Sequence, residues 1–431
     1  MSHSSSANIF RIKGGVPLHG TIRASGNKNA ALPMIAASLL TAEEVILDNL
    51  PDIGDVHSML AIAAALGARV REGDDGSVSI TADTIVTDEL PAEYCDRVRA
   101  GVLFAAPLLH RRGRARMVPP GGDVIGRRRL DPHLSGFAAM GCDYSVNREL
   151  EFTAVGALSG ADIFMAEASV TATEQLICAA ALADGETRLS NAACEPHVQD
   201  LCELLVKMGA SIRGIGTNTL IIEGVKTLHG ARHRISSDYT EAGSYLAIAA
   251  ATGGGITVND IDHRHYRMIQ HTFGCLGVDL TFADNAVSLT GGQSRQIRRD
   301  ASGCIPVFDD GPWPHFPSDL MSVSIVMATQ LEGTVLFFEK MFESRMYFVD
   351  RLISMGANAV ICDPHRVLVT GPARLHALDL SSPDIRAGIA LLGAALCAEG
   401  VSTVNNVHHI DRGYARVEEK FTLLGAEIER M

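Results

Sequence analysis

Three cations stand where a predicted helix begins, and their position suggests anion chemistry. Lys28, Arg99 and Arg386 each follow a short polar segment and precede small apolar residues that predict a helix. Capping explains a neighbouring hydroxyl such as that of Ser25, because a side-chain oxygen accepts backbone N–H bonds at a helix start. Capping does not explain a cation, because the amino end of a helix already carries partial positive charge. A small anion held by the helix dipole and the side chain together would account for all three cations.

Two loops carry further arginines, and each allows two interpretations. Residues 119–129 form a glycine-containing loop with Asp123 near its centre and three consecutive arginines at its end. This loop is either a solvated turn or a mobile lid whose arginines close on phosphate. Residues 408–414 form either a surface turn or a segment that brings Arg412 to the same anion.

A repeated unit supplies the elements that must position these side chains. A leucine or methionine, a glycine and a small apolar residue recur together at Gly67, Gly141, Gly209, Gly277, Gly356 and Gly425. An amphipathic helix precedes each copy and a pair of strands follows it, while a second helix, such as residues 30–40, is apolar nearly all round. The pattern predicts an α/β fold of six β-α-β-α-β-β units with helices inside and sheets outside. Three units would form each domain, because one core rarely grows beyond roughly 300 residues.

The composition excludes several classes of protein. The 431 residues carry 37 lysines and arginines against 50 aspartates and glutamates, and this net charge of −13 argues against a nucleic-acid or membrane partner. The longest apolar run, residues 387–398, is too short to span a bilayer, and residues 1–6 lack a signal-peptide pattern. Nine cysteines without C-x-x-C spacing indicate free thiols, and the 16 histidines show no metal-binding motif. We therefore expect a cytoplasmic protein without a metal or other cofactor.

Six short motifs are spread along the chain, at residues 25–33, 120–122, 128–133, 316–319, 342–345 and 409–414. Together they resemble the enolpyruvyl transferase superfamily, over residues 10–430. The resemblance implies two inside-out α/β barrel domains. One would comprise residues 22–236, with a lid at about 119–129, and the other residues 1–21 and 237–431.

Within the superfamily, the chain is most similar to the branch that acts on UDP-N-acetylglucosamine. The resemblance implies an enzyme that transfers the enolpyruvyl group of phosphoenolpyruvate to the 3-hydroxyl of that sugar and releases phosphate. This reaction is the first committed step of peptidoglycan precursor synthesis, and so it serves cell-wall biogenesis, cell shape and cell division. We expect these two small molecules as partners, no cofactor, and a monomer.

The resemblance also assigns roles to residues of this chain. Asp123 would donate a proton to phosphoenolpyruvate, and Asp319 would act as the base for the sugar hydroxyl, with Lys28 and Arg412 as catalytic cations. The expected phosphoenolpyruvate-binding residues are Lys28, Asn29, Arg128, Arg345, Arg386 and Arg412. The expected nucleotide-sugar-binding residues are Arg99, Arg128, Arg129, Leu130, Asp131, Pro132, Glu167, Ala168, Ser169, Val170, Asp319 and Met341.

Departures from the family pattern have two consequences. Asp123 stands where most members have cysteine, so we predict that the thiol-directed epoxide fosfomycin does not inactivate this protein. Other departures fall near the expected nucleotide-sugar residues, at Arg127, Arg129, Glu167, Tyr239 and Trp313. They leave open a related transferase that acts on another nucleotide or nucleoside. A protein of a different class, a catalytically silent regulator that binds nucleotide sugars, is the remaining alternative.

Overall fold

The computed structural model describes residues 8–122, 125, 126 and 128–431. Asp123 and Arg127 lie outside the described residues. In chain order the strands are β1 (Ile9–Lys13), β2 (His19–Arg23), β3 (Glu44–Asp48), β4 (Arg69–Glu72), β5 (Val78–Thr81), β6 (Arg114–Met117), β7 (Cys142–Val146), β8 (Leu150–Ala154), β9 (Asp162–Phe164), β10 (Glu186–Ser190), β11 (Ser211–Arg213), β12 (Thr219–Glu223), β13 (Arg232–Arg234), β14 (Gly255–Asn259), β15 (Leu280–Ala283), β16 (Ala286–Leu289), β17 (Val307–Asp309), β18 (Gly333–Phe338), β19 (Asn358–Asp363), β20 (Arg366–Gly371), β21 (Asp379–Ser381), β22 (Val401–Asn405) and β23 (Glu427–Arg430).

The α-helices alternate with these strands. They are α1 (Lys28–Ala37), α2 (Gly54–Ala65), α3 (Ala92–Cys95), α4 (Ala105–Arg112), α5 (Asp131–Ala139), α6 (Val170–Ala180), α7 (Pro196–Lys207), α8 (Tyr239–Thr252), α9 (Arg267–Cys275), α10 (Met321–Ala328), α11 (Val349–Ser354), α12 (Ile385–Cys397), α13 (His408–Asp411) and α14 (Val417–Leu423). Short 3₁₀ helices span Ser38–Leu40, Arg99–Phe104, His263–Tyr266 and Ser318–Leu320.

The described strands form six small sheets with one recurring topology. Their strand orders are β13-β3-β5-β4, β6-β8-β7, β11-β12-β10-β9, β15-β16-β14-β2, β17-β18-β20-β19 and β21-β22-β1-β23. Each four-stranded sheet joins one parallel edge strand to antiparallel neighbours. In the three-stranded sheet an isolated parallel bridge between Glu89 and Arg116 occupies the equivalent place. The sixfold repeat predicted from the glycine signature is therefore present as six equivalent sheets.

The chain divides into two compact units with three sheets each. We call Gly26–Gly122 with Arg128–Ser236 the N-terminal unit, and Met1–Ser25, Asp123–Arg127 and Ser237–Met431 the C-terminal unit. The C-terminal unit takes in the first two strands, because β1 pairs with β22 and β23 and β2 pairs with β14.

Each unit has central helices that are buried nearly all round. In the C-terminal unit, α8, α10 and α12 pack against one another. In the N-terminal unit, α6 packs against α1 and α4, and all three contact the Arg99–Phe104 turn. Nine of the ten residues of α1 and all eight of α10 are buried. Alanine, glycine and serine make up half of α8 and nearly half of α12, and such small side chains let helices approach closely while sheets cover them from outside. The predicted α/β fold with helices inside and sheets outside is confirmed.

None of the helices among the described residues is both long and apolar enough to cross a membrane.

Candidate active site

In the C-terminal unit, Asp319 forms ion pairs with two arginines. Asp319 lies in the 3₁₀ turn before α10, Arg386 in the first turn of α12, and Arg345 in the segment after β18. Nη2 of Arg386 is 2.6 Å from Asp319 Oδ2, and Nη2 of Arg345 is 3.2 Å from Oδ1. Both arginine side chains are less than one-tenth exposed, whereas a quarter of the Asp319 side chain is exposed. This carboxylate is therefore fixed by buried cations and still accessible to a ligand.

Arg386 owes its position to a capped helix start and a buried tyrosine. The side chain of Asp384 caps α12 by accepting the backbone N–H of Arg386 at 2.8 Å. The guanidinium Nη1 donates to the hydroxyl of Tyr414 at 3.0 Å. Burial alone would lower the pKa of Arg386, but the nearby Asp319, Tyr414 and Asp238 raise that pKa well above its ordinary value. Arg386 is a permanent, rigidly held cation at the amino end of a helix.

Arg345 has a second carboxyl neighbour that the sequence did not reveal. Glu339 is fully buried directly after β18, and its Oε2 lies 3.7 Å from Nε of Arg345. The hydroxyl of Ser318 donates to the same carboxyl oxygen at 2.8 Å. Burial and a hydrogen bond with Asp310 raise the pKa of Glu339 to about 8, although Arg345 and Ser318 act in the opposite direction. A glutamate at the end of an alternating strand gives no sequence signal for such burial.

Arg412 and Met341 lie in the same unit as this cluster. Arg412 is half-buried at the carboxyl end of α13, a short helix that packs against α12. The backbone N–H of Met341 donates to Oε1 of Glu339 at 3.1 Å. The C-terminal unit thus carries Asp319, Met341, Arg345, Arg386 and Arg412 of the predicted set.

In the N-terminal unit, Lys28 begins α1 and forms a buried ion pair. Asn27 caps the helix by accepting the backbone N–H of Ala30 at 3.0 Å, and Asn29 follows half-buried. Nζ of Lys28 is 2.8 Å from Asp55 Oδ2, with both side chains no more than one-tenth exposed. Sequence reasoning placed Lys28 correctly at a helix start but missed Asp55. An aspartate in the first turn of α2 looks like an ordinary partner of that helix dipole, so it gave no separate signal.

Arg99 opens the 3₁₀ helix Arg99–Phe104 and holds the last residues of the predicted lid. Its Nη2 donates to the carbonyl oxygens of Arg128 and Arg129, at 3.0 Å each. Burial and the adjacent charge of Arg128 lower the pKa of Arg99 to about 10, while Glu167 opposes this shift. Two cations this close together are typical of a site that binds an anion.

The start of the predicted lid, at Gly121, packs closely against the backbone of Cys95 and Asp96. A Cβ on residue 121 would lie 1.9 Å from the carbonyl oxygen of Asp96, so only glycine fits there. The backbone N–H of Gly121 also donates to the carbonyl of Cys95 at 3.0 Å. Beyond this anchor, the predicted proton donor Asp123 lies outside the described residues.

The remaining predicted nucleotide-sugar residues lie at two helix starts of the N-terminal unit. Arg129 and Leu130 precede α5, which begins with Asp131 and Pro132, and Glu167, Ala168 and Ser169 precede Val170 at the start of α6. His133 is buried between these helices, where it contacts the side chains of Gln175 and, at 3.1 Å, Thr171. Burial lowers the pKa of His133 to about 4, so this histidine is uncharged and links α5 to α6 through these two contacts.

Two of the departures from the family pattern contact each other in the C-terminal unit. The ring of Tyr239 meets that of Trp313 edge-on at 6.0 Å and that of His265 at 5.9 Å. Tyr239 is only 3% exposed. Tyr239 and Trp313 therefore belong to one packed aromatic cluster.

No group of three or more histidine, cysteine, aspartate or glutamate side chains in the described part of the chain is arranged to hold a metal ion.

Comparisons with known proteins identify the family. The family model described as EPSP synthase (3-phosphoshikimate 1-carboxyvinyltransferase) matches residues 12–421. Among curated relatives, the UDP-N-acetylglucosamine 1-carboxyvinyltransferase of Treponema denticola is 49% identical over 97% of this chain and 98% of its own length. The protein of the same name from Bradyrhizobium diazoefficiens is 49% identical, over 98% of each chain.

Solved structures agree on the fold. The enolpyruvyl transferase NikO from Streptomyces tendae superposes with a TM-score of 0.87 at 23% identity, covering 98% of this chain and 99% of its own. EPSP synthase from Acinetobacter baumannii gives a TM-score of 0.75 at 16% identity, covering 98% of this chain and 99% of its own. The family model and the curated relatives match nearly the whole chain, and this shows that the chain belongs to the EPSP synthase family of enolpyruvyl transferases.

Proposed function

We propose that this protein transfers the enolpyruvyl group of phosphoenolpyruvate to the 3-hydroxyl of UDP-N-acetylglucosamine and releases phosphate. The observation that carries the proposal is the accessible carboxylate of Asp319 between the buried guanidiniums of Arg345 and Arg386. A base beside fixed cations suits a reaction in which a hydroxyl attacks an anionic substrate. The curated relatives that carry this activity in their names, at about half identity over nearly the whole chain, support the same reaction.

The reaction needs a base, an acid and several cations. The carboxylate of Asp319 would take the proton of the sugar hydroxyl while its oxygen bonds to C2 of phosphoenolpyruvate and C3 gains a proton from Asp123. The tetrahedral adduct then loses phosphate from C2 and a proton from C3, which restores the double bond. Arg345 and Arg386 would neutralise charge next to the base, because buried guanidiniums need no rearrangement to do so.

The N-terminal unit carries other cations of the predicted set. Lys28 stands at the amino end of α1, and Arg99 holds the backbone of Arg128. Both features suit a phosphate or diphosphate group. In the C-terminal unit, Arg412 belongs to the predicted phosphoenolpyruvate-binding set. In this proposal the enzyme works in the cytoplasm on peptidoglycan precursors, as a monomer.

One assay tests the choice of acceptor. Phosphate release from phosphoenolpyruvate is measured with UDP-N-acetylglucosamine, with UMP and with shikimate 3-phosphate. Release with UDP-N-acetylglucosamine alone is the expected result. Release with UMP would instead indicate the related transferase that acts on another nucleotide, and no release with any acceptor would indicate the silent nucleotide-sugar regulator.

A second experiment tests the acid. Asp123→Asn should lower turnover by more than tenfold, which corresponds to about 1.4 kcal/mol of transition-state stabilisation. Fosfomycin should leave the natural protein active and unmodified in intact-protein mass spectrometry, whereas Asp123→Cys should become alkylated and lose activity with time. The exposed thiols of Cys304 and Cys362 serve as internal controls, since they are present in both proteins. Turnover by Asp123→Asn within tenfold of the natural protein would remove Asp123 from the mechanism.

A further inference from the structure

Two buried carboxyl groups leave neighbouring strands side by side in the C-terminal unit. Strands β17 and β18 are parallel, and Asp309 pairs in register with Phe338. The residues that directly follow the two strands, Asp310 and Glu339, therefore lie next to each other. Asp310 is 1% exposed and Glu339 is not exposed at all. The sheet register forces two acidic side chains together away from water.

The hydrogen bonds of this pair account for all but one carboxyl oxygen. Glu339 accepts from the Ser318 hydroxyl at 2.8 Å and from two backbone N–H groups, those of Met341 at 3.1 Å and Phe342 at 3.0 Å. Oδ1 of Asp310 accepts the backbone N–H of Lys340 at 2.5 Å. Oδ2 of Asp310 is buried without a donor among the described residues. A proton shared with Glu339 would satisfy this oxygen.

Shared protonation also follows from charge. Ionising both members of a pair of buried, neighbouring carboxyl groups has a high free-energy cost, so such a pair retains one proton. Burial and the hydrogen bond with Asp310 accordingly raise the pKa of Glu339 to about 8. Loss of the shared proton at alkaline pH would add a negative charge to the pair.

Arg345 connects the pair to the proposed base. Its Nε lies 3.7 Å from Glu339 Oε2 and has no hydrogen-bond partner among the described residues. At the other end of the same guanidinium, Nη2 is 3.2 Å from Asp319 Oδ1 and Nη1 donates to the carbonyl of Ser318 at 3.3 Å. A second negative charge on the pair would draw this guanidinium away from Asp319, because the attraction between unlike charges grows with the charge.

The other charged groups around the pair are already engaged elsewhere. Asp309, on β17, pairs with Lys340 and with His315, whose Nε2 is 3.3 Å away. His365, before β20, contacts the backbone carbonyl of Glu339 at 2.7 Å, and Arg366 pairs with Asp363. Among the described residues, Arg345 is thus the cation that contacts both Glu339 and Asp319.

We propose that Asp310 and Glu339 are positioning residues that share one proton and thereby leave Arg345 engaged with Asp319, so that loss of this proton at alkaline pH weakens the transfer reaction. The inference rests on the proposed function, since it assigns Asp319 the role of base. It adds an alkaline limit to the activity, set by a pair that does not contact substrate.

The test compares pH profiles of three proteins between pH 6 and pH 10. In the natural protein kcat should fall by roughly tenfold between pH 8 and pH 9.5, as the pair loses its proton. Asp310→Asn should lack this alkaline fall, because its amide donates to an ionised Glu339 and holds the charge of the pair at one. Asp309→Asn is the matched control, with the same chemical change one residue earlier, and should keep the natural profile. A natural profile that stays flat to pH 9.5, or the same alkaline fall in all three proteins, would overturn the inference.

Thermal unfolding gives a readout that does not need activity. Because folding raises the pKa of Glu339 from an ordinary 4.5 to about 8, its contribution to stability is fully present below pH 4.5 and is lost as pH rises through 8. The natural protein should therefore lose more stability between pH 5 and pH 8 than Asp310→Asn does, and Glu339→Gln should behave like Asp310→Asn. If no acceptor supports phosphate release but this difference in unfolding is seen, the shared proton stands and the proposed function fails. Equal losses in all variants contradict the shared proton whatever the activity.

Discussion

Replacing Asp319 with asparagine removes the negative charge between two buried guanidiniums. The side chain keeps its shape, but Arg345 and Arg386, 5% and 9% exposed, then lose the carboxylate that contacts both of them, and Arg345 keeps only the longer contact with Glu339. Removing one partner of a buried ion pair typically costs about 3–5 kcal/mol, because the remaining charge stays out of water. Asp319 is one-quarter exposed, so we expect the lower end, about 3 kcal/mol.

The effect of Asp319→Asn should be measurable both as a loss of stability and as a loss of turnover. For a unit of roughly 200 residues, about 3 kcal/mol corresponds to a fall in Tm of roughly 6–12 °C. Loss of the base should also lower kcat by about 10²–10⁴-fold. Inorganic phosphate should raise the Tm of Asp319→Asn more than that of the natural protein, because guanidiniums released from Asp319 would bind the anion and a ligand of the folded state stabilises it.

Differential scanning fluorimetry with a phosphate titration, together with the phosphate-release assay, measures these effects. Asp284→Asn is the matched control, since Asp284 is an exposed aspartate in the turn between β15 and β16 with φ 50°, a conformation that asparagine also tolerates. Asp284→Asn should leave Tm and kcat unchanged. The reasoning is refuted if Asp319→Asn lowers Tm by less than about 2 °C and keeps kcat within about tenfold of the natural protein.

Three further predictions concern other parts of the molecule. Lys28→Met should abolish transfer and cost about 3 kcal/mol by removing the cation 2.8 Å from buried Asp55, whereas Lys28→Met with Asp55→Asn should recover stability in chemical denaturation but not activity; recovery of activity would contradict the role of Lys28. Gly14→Ala should lower Tm, because a Cβ there would lie 2.3 Å from the carbonyl oxygens of two residues, whereas Gly291→Ala meets nothing within 4 Å and should not; equal Tm values would contradict this packing. Burial, aided by a nearby glutamate, raises the pKa of Glu174 well above 4.5, so its contribution to stability is present below pH 4.5 and is lost as pH rises through the higher folded value. Glu174→Gln should therefore lose less stability than the natural protein when pH is raised from 5 to 9, as measured by thermal unfolding. An identical loss in both proteins would contradict the raised pKa of Glu174.

Part of the candidate site could be predicted because it depends on local sequence. A polar segment followed by small apolar residues marks a helix start, and α1 and α12 do begin at or next to Lys28 and Arg386. Arg99 opens a 3₁₀ turn rather than an α-helix, although it occupies the predicted start. Helix starts are set by capping and by the onset of apolar periodicity, both of which are written in a few consecutive residues.

The partners of these cations could not be predicted in the same way. Asp55 meets Lys28 from a different element and lies in none of the motifs. The motif at residues 316–319 did single out Asp319 as a base, but it did not show that Arg345 and Arg386 contact this carboxylate. Tyr239 and Trp313 were separate departures in the sequence, and only the packed structure shows that they touch. Contacts of this kind depend on how helices and sheets pack, which no short window of sequence contains.

The sequence by itself determined the sixfold α/β repeat, the buried helices and the resemblance to enolpyruvyl transferases, because periodicity and motif residues are properties of the chain. Tertiary structure decided which charges meet. The in-register pairing of Asp309 with Phe338 places Asp310 beside Glu339, and a shift of one residue would separate those two carboxyl groups. Strand register and burial decide which side chains contact each other across neighbouring strands, and the charge distribution of this site follows from those contacts.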